Sequence, residues 1–411
     1  MGWEIRPSTA EEIPDLVRAD SAAFGHQPTE AQISSARAFL EADRALVAVD
    51  RGRVVGGAGA LTLELTVPGP TPVATAGVTY VGVLPTHRRQ GIMTALMARL
   101  MDDARRRGEP LAALLASEST IYRRFGYGVA VRHGAVEIER CHARMRRPVE
   151  ISGRLRMIDR QEMAEALPPI FDRYRRRQPG EVTRSASYWD RRLEDPEAVR
   201  EGASARFAVL WEGSGDGDPA GYATYRVKSN WDDGLPAHTL AVEELVAADP
   251  EVRAGLWQYC FGVDLVKTVA AWNVPVDEPL AWMLEDPRRL RVTGLMDFLW
   301  VRLLDVEAAL SARTYGSDAH LVVDVADPSR PTSAGRYRLT GGGGGPAECR
   351  RTDASADLAL DVADLASAYL GAVRFTTLAR AGLVSELVPG ALARADSLFA
   401  CAPAPTCSST F

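Results

Sequence analysis

Residues 77–94 (GVTYVGVLPTHRRQGIMT) carry the types whose spacing best supports chemistry. Arg88 and Arg89 stand just before Gly91, and Gly91 heads a helical pattern. The first N–H groups of a helix lack intrahelical acceptors and carry the positive end of its dipole. Glycine there lets the backbone approach a bulky anion. Arginines beside such N–H groups predict a pyrophosphate cradle.

Two elements must position that cradle. Val78, Tyr80 and Gly82 alternate with Thr79, Val81 and Val83, which predicts a strand, and Pro85 stops it because it has no N–H for a ladder. Ile92, Leu96 and Leu100, with Met93 and Met97 alongside, recur at helical spacing. That helix ends in Arg105-Arg106-Arg107-Gly108, a dipole-matched C-terminus.

The flanking chain predicts a mixed sheet. A strand over 3–6 precedes a capping box, Ser8-x-x-Glu11, for a helix to about residue 24, in which Pro14 is a kink or shortening point. A polar helix over 30–43 borders a cleft. Strands over 45–49 and 54–67 join through Arg51-Gly52 as a hairpin. An apolar run over 111–116 reads as a central buried strand. Ser117 and Glu118 then lead into a short helix over 121–125, which Gly126 stops, and a strand over 129–139 completes the unit.

Residues 146–294 repeat this layout: helices over 160–177 and 186–193, a hairpin of strands over 205–211 and 220–227 around GSGDGDP, a strand over 239–246 and a helix over 251–272. The equivalent turn, Ala247-Ala248-Asp249-Pro250, has neither glycine nor arginine. It predicts a duplicated fold that has lost its phosphate site and serves as a scaffold. From residue 295 the character changes: strands over 299–304, 319–325 and 336–340, then helices over 362–369, 376–381 and 384–399. Gly341–Gly345 lacks a following Lys-Ser/Thr, so it predicts a hairpin loop and not a P-loop.

Length and charge narrow the partners. A chain of 411 residues exceeds one core and predicts two or three domains. A net charge of −6 argues against an electrostatic nucleic-acid binder and suits cationic partners. The first residues carry acids and no apolar signal-peptide core, and no apolar run reaches the roughly 20 residues of a membrane span. Five scattered cysteines (Cys141, Cys260, Cys349, Cys401, Cys407) without a C-x-x-C read as reduced thiols of a cytoplasmic protein, with no zinc site, and the dispersed histidines predict no metal.

The pattern V-x-V-x-P-x-x-R-R-x-G (residues 81–91) resembles the acetyl-CoA site of the GCN5-related N-acetyltransferases (GNATs). The resemblance implies backbone contacts to the pantetheine arm at Val81, Gly82 and Val83. It implies a pyrophosphate site over Arg88, Arg89, Gln90, Gly91, Ile92, Met93 and Thr94, where Met93 replaces a small residue of the pattern. TAGVTYVGVLPTHRRQGIMTALM, ASESTIYRRFGYG, FLWVRLLDVEAALSARTYG and the terminal aromatic further resemble the Eis (enhanced intracellular survival) acetyltransferases. That likeness covers essentially the whole chain. It implies an α/β (α+β) architecture with a catalytic GNAT domain over 1–145, a degenerate GNAT-like domain over 146–294 and a sterol-carrier-protein-like domain over 295–411. It further implies a homo-hexamer and acetyl-CoA-dependent acetylation of small cationic amines such as aminoglycosides.

The same resemblance implies the roles at the site. Tyr127, in Y-x-R-F-G-Y-G, corresponds to the general acid that protonates the departing CoA thiolate; a free tyrosine has a pKa of about 10. The α-carboxylate of Phe411 corresponds to the general base, with a free pKa of about 3.3–3.7. Ser117 and Glu118 follow the central strand within reach of cofactor or amine, with helix capping as the other reading of Ser117. His26 and Glu30 line the cleft with Glu118; His26 and Thr410 stand where the family places acids. The competing reading is a lipid-binding protein acting through its C-terminal domain.

Overall fold

The computed structural model describes residues 2–149, 154–213, 218–343 and 345–411. The chain forms two compact units. The first runs to Val131 and resumes over Phe298–Pro405 and Ser409–Phe411; the second comprises Arg132–Asp297 and Thr406–Ser408. The sequence predicts breaks at 145 and 294.

In the first unit, β1 (Trp3–Pro7) leads into α1 (Ile13–Ala23) and α2 (Glu30–Phe39). The capping box falls one residue later than predicted, on Thr9 and Glu12. Arg6 explains the choice: its Nη atoms hold the Glu12 carboxylate at 2.6 and 2.8 Å, and Glu12 in turn accepts from the Thr9 N–H at 3.0 Å. Pro14 lies in the first turn of α1, where its missing N–H costs no hydrogen bond, so it produces no kink. β2 (Ala45–Asp50), β3 (Arg53–Val67) and β4 (Thr71–Val83) form an antiparallel meander. α3 (Ile92–Arg106) is next, then β5 (Leu111–Leu115), the short α4 (Ser119–Tyr122) and β6 (Gly128–Val129).

Alternation along the strands divides the core between two faces. Val47 and Val49 pack with Ile13, Leu16, Val17 and Ile33 of α1 and α2. Leu46, Ala48, Val55 and Ala58 pack with Ile92, Leu96, Met97 and Leu100 of α3.

The strand predicted over 129–139 is divided between the two units. β6 belongs to the first sheet, whereas β7 (Arg132–Glu139) belongs to the second. The N–H groups of Ala130 and Val131 both bond to Leu299 O, which ends the first sheet between the two strands. The alternation runs on without a break at that point, so the sequence carries no signal for the division.

The second unit holds, after β7, β8 (Arg154–Ile158), α5 (Arg160–Arg175), α6 (Ala186–Leu193), β9 (Phe207–Glu212) and β10 (Gly221–Lys228). Most of the predicted GSGDGDP turn lies outside the described residues. A small β11–β12 ribbon (Trp231–Asp232, Leu235–Pro236) precedes β13 (His238–Ala247) and α7 (Pro250–Gly262). The helix predicted over 251–272 stops at Gly262. Residues Val266–Pro275 form β14, whose apolar positions fit a period of two as well as a helical one. After α8 (Leu280–Met283), β15 (Arg291–Asp297) completes a sheet of order β15-β7-β14-β13-β10-β9-β8.

β16 (Leu299–Leu303) returns to the first unit and pairs antiparallel with β5 and β6, giving the order β1-β2-β3-β4-β5-β16-β6. Beyond α9 (Val306–Ser311), a third sheet is built from β17 (His320–Ala326), β18 (Gly335–Gly342), β19 (Gly345–Arg351), β20 (Leu358–Asp361) and β21 (Val384–Glu386). Gly342 and Gly345 face each other across the glycine run, which is a hairpin; Gly344 lies outside the described residues. α10 (Val362–Tyr369) and α11 (Phe375–Arg380) precede β21, and α12 (Ala391–Phe399) comes after it. The helix predicted over 384–399 is thus a strand and a helix, parted by Pro389-Gly390 with Gly390 at φ 85°. β8, β11, β12, β15, β19 and β20 lie where the sequence predicts no strand.

Candidate functional site: a parted strand pair and an open helix end

β4 and β5 run parallel only over Thr75–Gly77 against Leu111–Ala113. β4 continues six residues further, to Val83, without a partner in β5. The cause lies partly on its other edge. Gly57 faces Gly82 and Gly59 faces Thr79, so β4 carries one residue more than β3 between these pairs. That extra residue forms a bulge, and Tyr80 sits within it at φ 52°. The backbone of Val81, Gly82 and Val83 therefore lies along an opened strand edge, where an extended amide-bearing ligand can pair.

The turn beyond β4 leads to α3. Gly91 is its N-cap in the left-handed region (φ 85°), and no atom lies within 4 Å of where a Cβ would stand. Arg88, Arg89, Gln90, Gly91 and Thr94 are exposed, and Arg88 reaches back to Ala23 O at 2.8 Å. Ile92 is buried in the core and Met93 half-buried against it, its sulfur 3.7 Å from Arg124 Nη2. The Met93 side chain is thus directed into packing, and its backbone N–H still belongs to the first turn of the helix. His87 is engaged elsewhere, with Thr86 at 2.8 Å and Asp50 at 3.3 Å.

Tyr127 comes directly after Gly126, which turns at φ 81°. Its side chain is fully buried, and its hydroxyl makes no hydrogen bond. Its ring meets that of Tyr122 edge-on, centroids 6.1 Å apart. Burial pushes its pKa well above the usual tyrosine value, against the opposing charge of Arg302. The proton therefore stays on the oxygen, as a donor requires.

Arg302 was invisible as a site residue in the sequence. It lies on β16, is wholly buried, bonds Asp327, and leaves Nε and Nη1 without acceptors. A Cβ on Gly126 would clash with its guanidinium, so this glycine is needed for space as well as for its turn. One arginine inside the apolar run FLWVRLL was the available signal.

Ser117 is not the N-cap of α4; Glu118 holds that position, without a side-chain cap. Tyr122 is itself buried, and its pKa is raised by that burial, with the charges of Asp20 and Glu118 adding to the effect. Asp20, on α1, is the second residue missed. Its Oδ1 is buried without a partner; burial pushes its carboxyl up to about 6, and His26 opposes this. His26 and Glu118 thus share one electrostatic neighbourhood with Asp20 and Tyr122. Glu30, the first residue of α2, points to solvent, 3.8 Å from Arg18. Phe411 is half-buried, and Ser409–Phe411 group with the first unit.

The second unit contains a related arrangement. β13 parallels β14 up to Val242–Ala271 and then continues to Ala247 without a partner in β14, with an extra residue at Glu243 relative to β10. Here the tail residues Thr406–Ser408 fill the gap. Thr406 N bonds Pro179 O at 2.9 Å, and Asn273 Nδ2 donates to Cys407 O at 3.2 Å. Ser408 donates its N–H and Oγ–H to Glu181 at 3.0 and 2.8 Å. A cavity of about 30 Å³ remains, lined by Glu181, Glu244, Asn273 and Ser408 together with apolar residues such as Leu245 and Trp257. Elsewhere on this unit, Glu139, Cys141 and His142 at the surface place ligand atoms within 4.8 Å of one another, a spacing that could hold an ion.

Comparison with known proteins agrees with these features. Acetyltransferase (GNAT) domain families match residues 4–130 and 180–303, and a sterol carrier protein domain family matches 306–408. An uncharacterised N-acetyltransferase of Streptomyces avermitilis is 42% identical over 89% of each chain. The N-acetyltransferase Eis of Mycobacterium tuberculosis is 34% identical over 95% of each. The crystal structure of Eis1 from Mycobacterium abscessus superposes over the full length of both chains, with a TM-score of 0.88 and 36% identity. The GNAT fold implies acetyl-CoA as cosubstrate, and the parted β4–β5 edge with its open helix end fits that molecule's amide-bearing arm and pyrophosphate. Among the described residues no helix is long and apolar enough to cross a membrane. Two GNAT domains and a sterol-carrier-type domain, with these likenesses along nearly the whole chain, place it in the Eis family of N-acetyltransferases.

Proposed function

We propose that this acetyltransferase transfers the acetyl group of acetyl-CoA directly to amino groups of small cationic substrates, aminoglycosides and polyamines among them, at one or several positions. The observation that carries this reading is the departure of β4 from β5 at Gly77, with the Tyr80 bulge, beside the open N-terminus at Gly91. Val81, Gly82 and Val83 pair with the pantetheine arm, and the exposed turn from Arg88 to Thr94 takes the pyrophosphate.

The chemistry is set by the charges that must move. The amine nitrogen attacks the thioester carbon, and the Val83 N–H stabilises the tetrahedral oxyanion. As the C–S bond breaks, Tyr127 gives its proton to the sulfur. Arg302 favours the tyrosinate that remains, through the same charge that opposes the upward shift of Tyr127. The ammonium proton passes to the α-carboxylate of Phe411, directly or through water. The grouping of Ser409–Phe411 with the unit that contains Tyr127 supports this role.

In this reading residues 1–145 supply catalysis and 146–294 scaffolding. Residues 295–411 contribute both a scaffold and the terminal carboxylate. Arg123 grips Asp364 with two bonds of 2.8 Å, and Gly128 lies directly against α10, which supports the scaffold role. The protein works in the cytoplasm, as a homo-hexamer like that inferred for its family.

Mixing the protein with acetyl-CoA and neomycin or spermidine should release free CoA thiol and add 42 Da per acetyl group to the amine, roughly the mass expected for each acyl transfer. Absence of thiol release across aminoglycosides and polyamines would overturn the reading.

A further inference from the structure

Asp20 has no place in the proposed mechanism, yet its position is unusual. It lies near the C-terminal end of α1, directly against the strand that carries the bulge. A Cβ on Gly82 would stand 2.6 Å from Asp20 Cα and 2.8 Å from Asp20 Oδ1. Glycine at 82 is therefore what lets the helix bring this carboxyl onto β4, between Val81 and Val83. Such a placement carries a cost. Oδ1 is buried without a hydrogen-bond donor, and an unpartnered polar atom out of water is expensive.

The surroundings offer few other partners. Tyr122, on which the charges of both Asp20 and Glu118 act, lies on the α4 side, and His26 acts on Asp20 from the loop after α1. Arg88 spends one guanidinium nitrogen on Ala23 O, a turn further along the chain. Among these, Tyr122 makes no hydrogen bond to Asp20 Oδ1, Glu118 is itself an acid, and His26 is exposed. A core role fails to explain an acid here, because alanine would fill the same face of α1 without the orphaned oxygen.

We infer that Asp20 is the carboxylate that receives the ammonium group of the acceptor amine at the β4 bulge and so selects for cationic substrates. The inference rests on the reading of the chain as an amine acetyltransferase and is independent of the role given to Phe411. An ammonium supplies the donors that Oδ1 lacks, and the low local dielectric strengthens the pair. A carboxyl raised to about 6 is ionised at neutral pH and loses its charge just below.

The test is steady-state kinetics of the full-length protein with acetyl-CoA and spermidine, between pH 5 and 8, for wild type, Asp20→Asn and Asp20→Ala. Alanine removes the polar burden and serves where the asparagine chain fails to fold. The expected result is a KM for spermidine raised at least tenfold in both variants at pH 7.5, with the KM for acetyl-CoA within twofold of wild type. In wild type the spermidine KM should climb as pH falls through 6, and this climb should vanish in the variants. A spermidine KM and pH profile unchanged by either substitution, with wild type active, would overturn the role of Asp20 alone. A wild type inert toward spermidine and every aminoglycoside tried would overturn the acetyltransferase reading, and this inference with it.

Discussion

In the first unit β4 leaves β5 after Gly77; in the second β13 leaves β14 after Val242. Both pairs are parallel, and both departing strands carry one extra residue against their other neighbour. They differ in the turn that each strand enters. After β4 comes an exposed turn with two arginines and a glycine at φ 85°, and the first N–H groups of α3 have no side-chain cap. After β13 comes Asp249, whose carboxylate accepts from Glu251 N at 2.7 Å and Val252 N at 3.4 Å. The second helix end is capped by its own anion and would repel another. Its gap is filled by Thr406–Ser408. Parting strands are thus a property of the fold, and the proposed competence of the first unit to bind an anionic cofactor rests on its turn.

If only the first unit is competent, one substitution there should abolish turnover. Tyr127→Phe removes the proton donor and nothing else, because the hydroxyl makes no hydrogen bond in the folded protein. Turnover should fall by about 10²–10⁴-fold, the usual range for a general acid, while CoA protects the first unit against thermal unfolding as in wild type. Full activity would remove Tyr127 from the mechanism and reopen the second unit as a site.

Gly91→Asp makes the first turn resemble the second. It places an L side chain at positive φ, which costs about 1–2 kcal/mol, and adds an anion that competes for the N–H groups meant for pyrophosphate. Affinity for CoA, measured by calorimetry, should drop by about tenfold, the scale of charge repulsion at a helix end, whereas the strain is present with or without CoA and lowers stability instead. An unchanged affinity would mean that the pyrophosphate lies elsewhere.

Deleting Phe411, or extending the chain with a C-terminal tag, tests whether the end of the tail takes part in catalysis, as Thr406–Ser408 take part in filling the second gap. Turnover should fall about tenfold or more, less than the usual range for an acid–base group because water can take the proton in its place, with CoA affinity and melting temperature unchanged. Wild-type turnover by the tagged protein would argue against the terminal carboxylate and leave Asp20 as the acid nearest the bulge.

The sequence showed much of this contrast and hid the rest for identifiable reasons. The turn from Arg88 to Gly91 was legible because the anion site proposed for it depends on local residue types. So was the absence of arginine and glycine at Ala247–Pro250. The transfer of β16 into the first sheet and of β7 into the second was not, because pairing partners far apart in the chain leave no mark on strand periodicity. Asp20 and Arg302 were hidden for the same reason. Each is an ordinary charged residue in its own element, on α1 and β16, and becomes notable only when Gly82 and Gly126 bring it against another part of the fold.

The smallest predicted effect concerns the filled gap. Burial pushes the Glu181 carboxyl up to about 7 from a free value of 4.5, against the pull of Arg184 and the two donors of Ser408. A carboxyl raised on folding favours its protonated form in the folded chain. Its contribution to stability is therefore greatest below pH 4.5, declines between 4.5 and 7, and is fully lost above 7. Glu181→Gln keeps an oxygen for Ser408 and cannot ionise. Relative to wild type, its melting temperature should stay flatter between pH 4.5 and 7 and stand a few degrees higher above pH 7, as expected for a shift of about 1 kcal/mol in a chain of this size. A parallel slope in the two proteins would mean that Glu181 stays charged in its gap. The second unit would then hold the tail by a carboxylate, just as the Asp249 carboxylate caps its helix end.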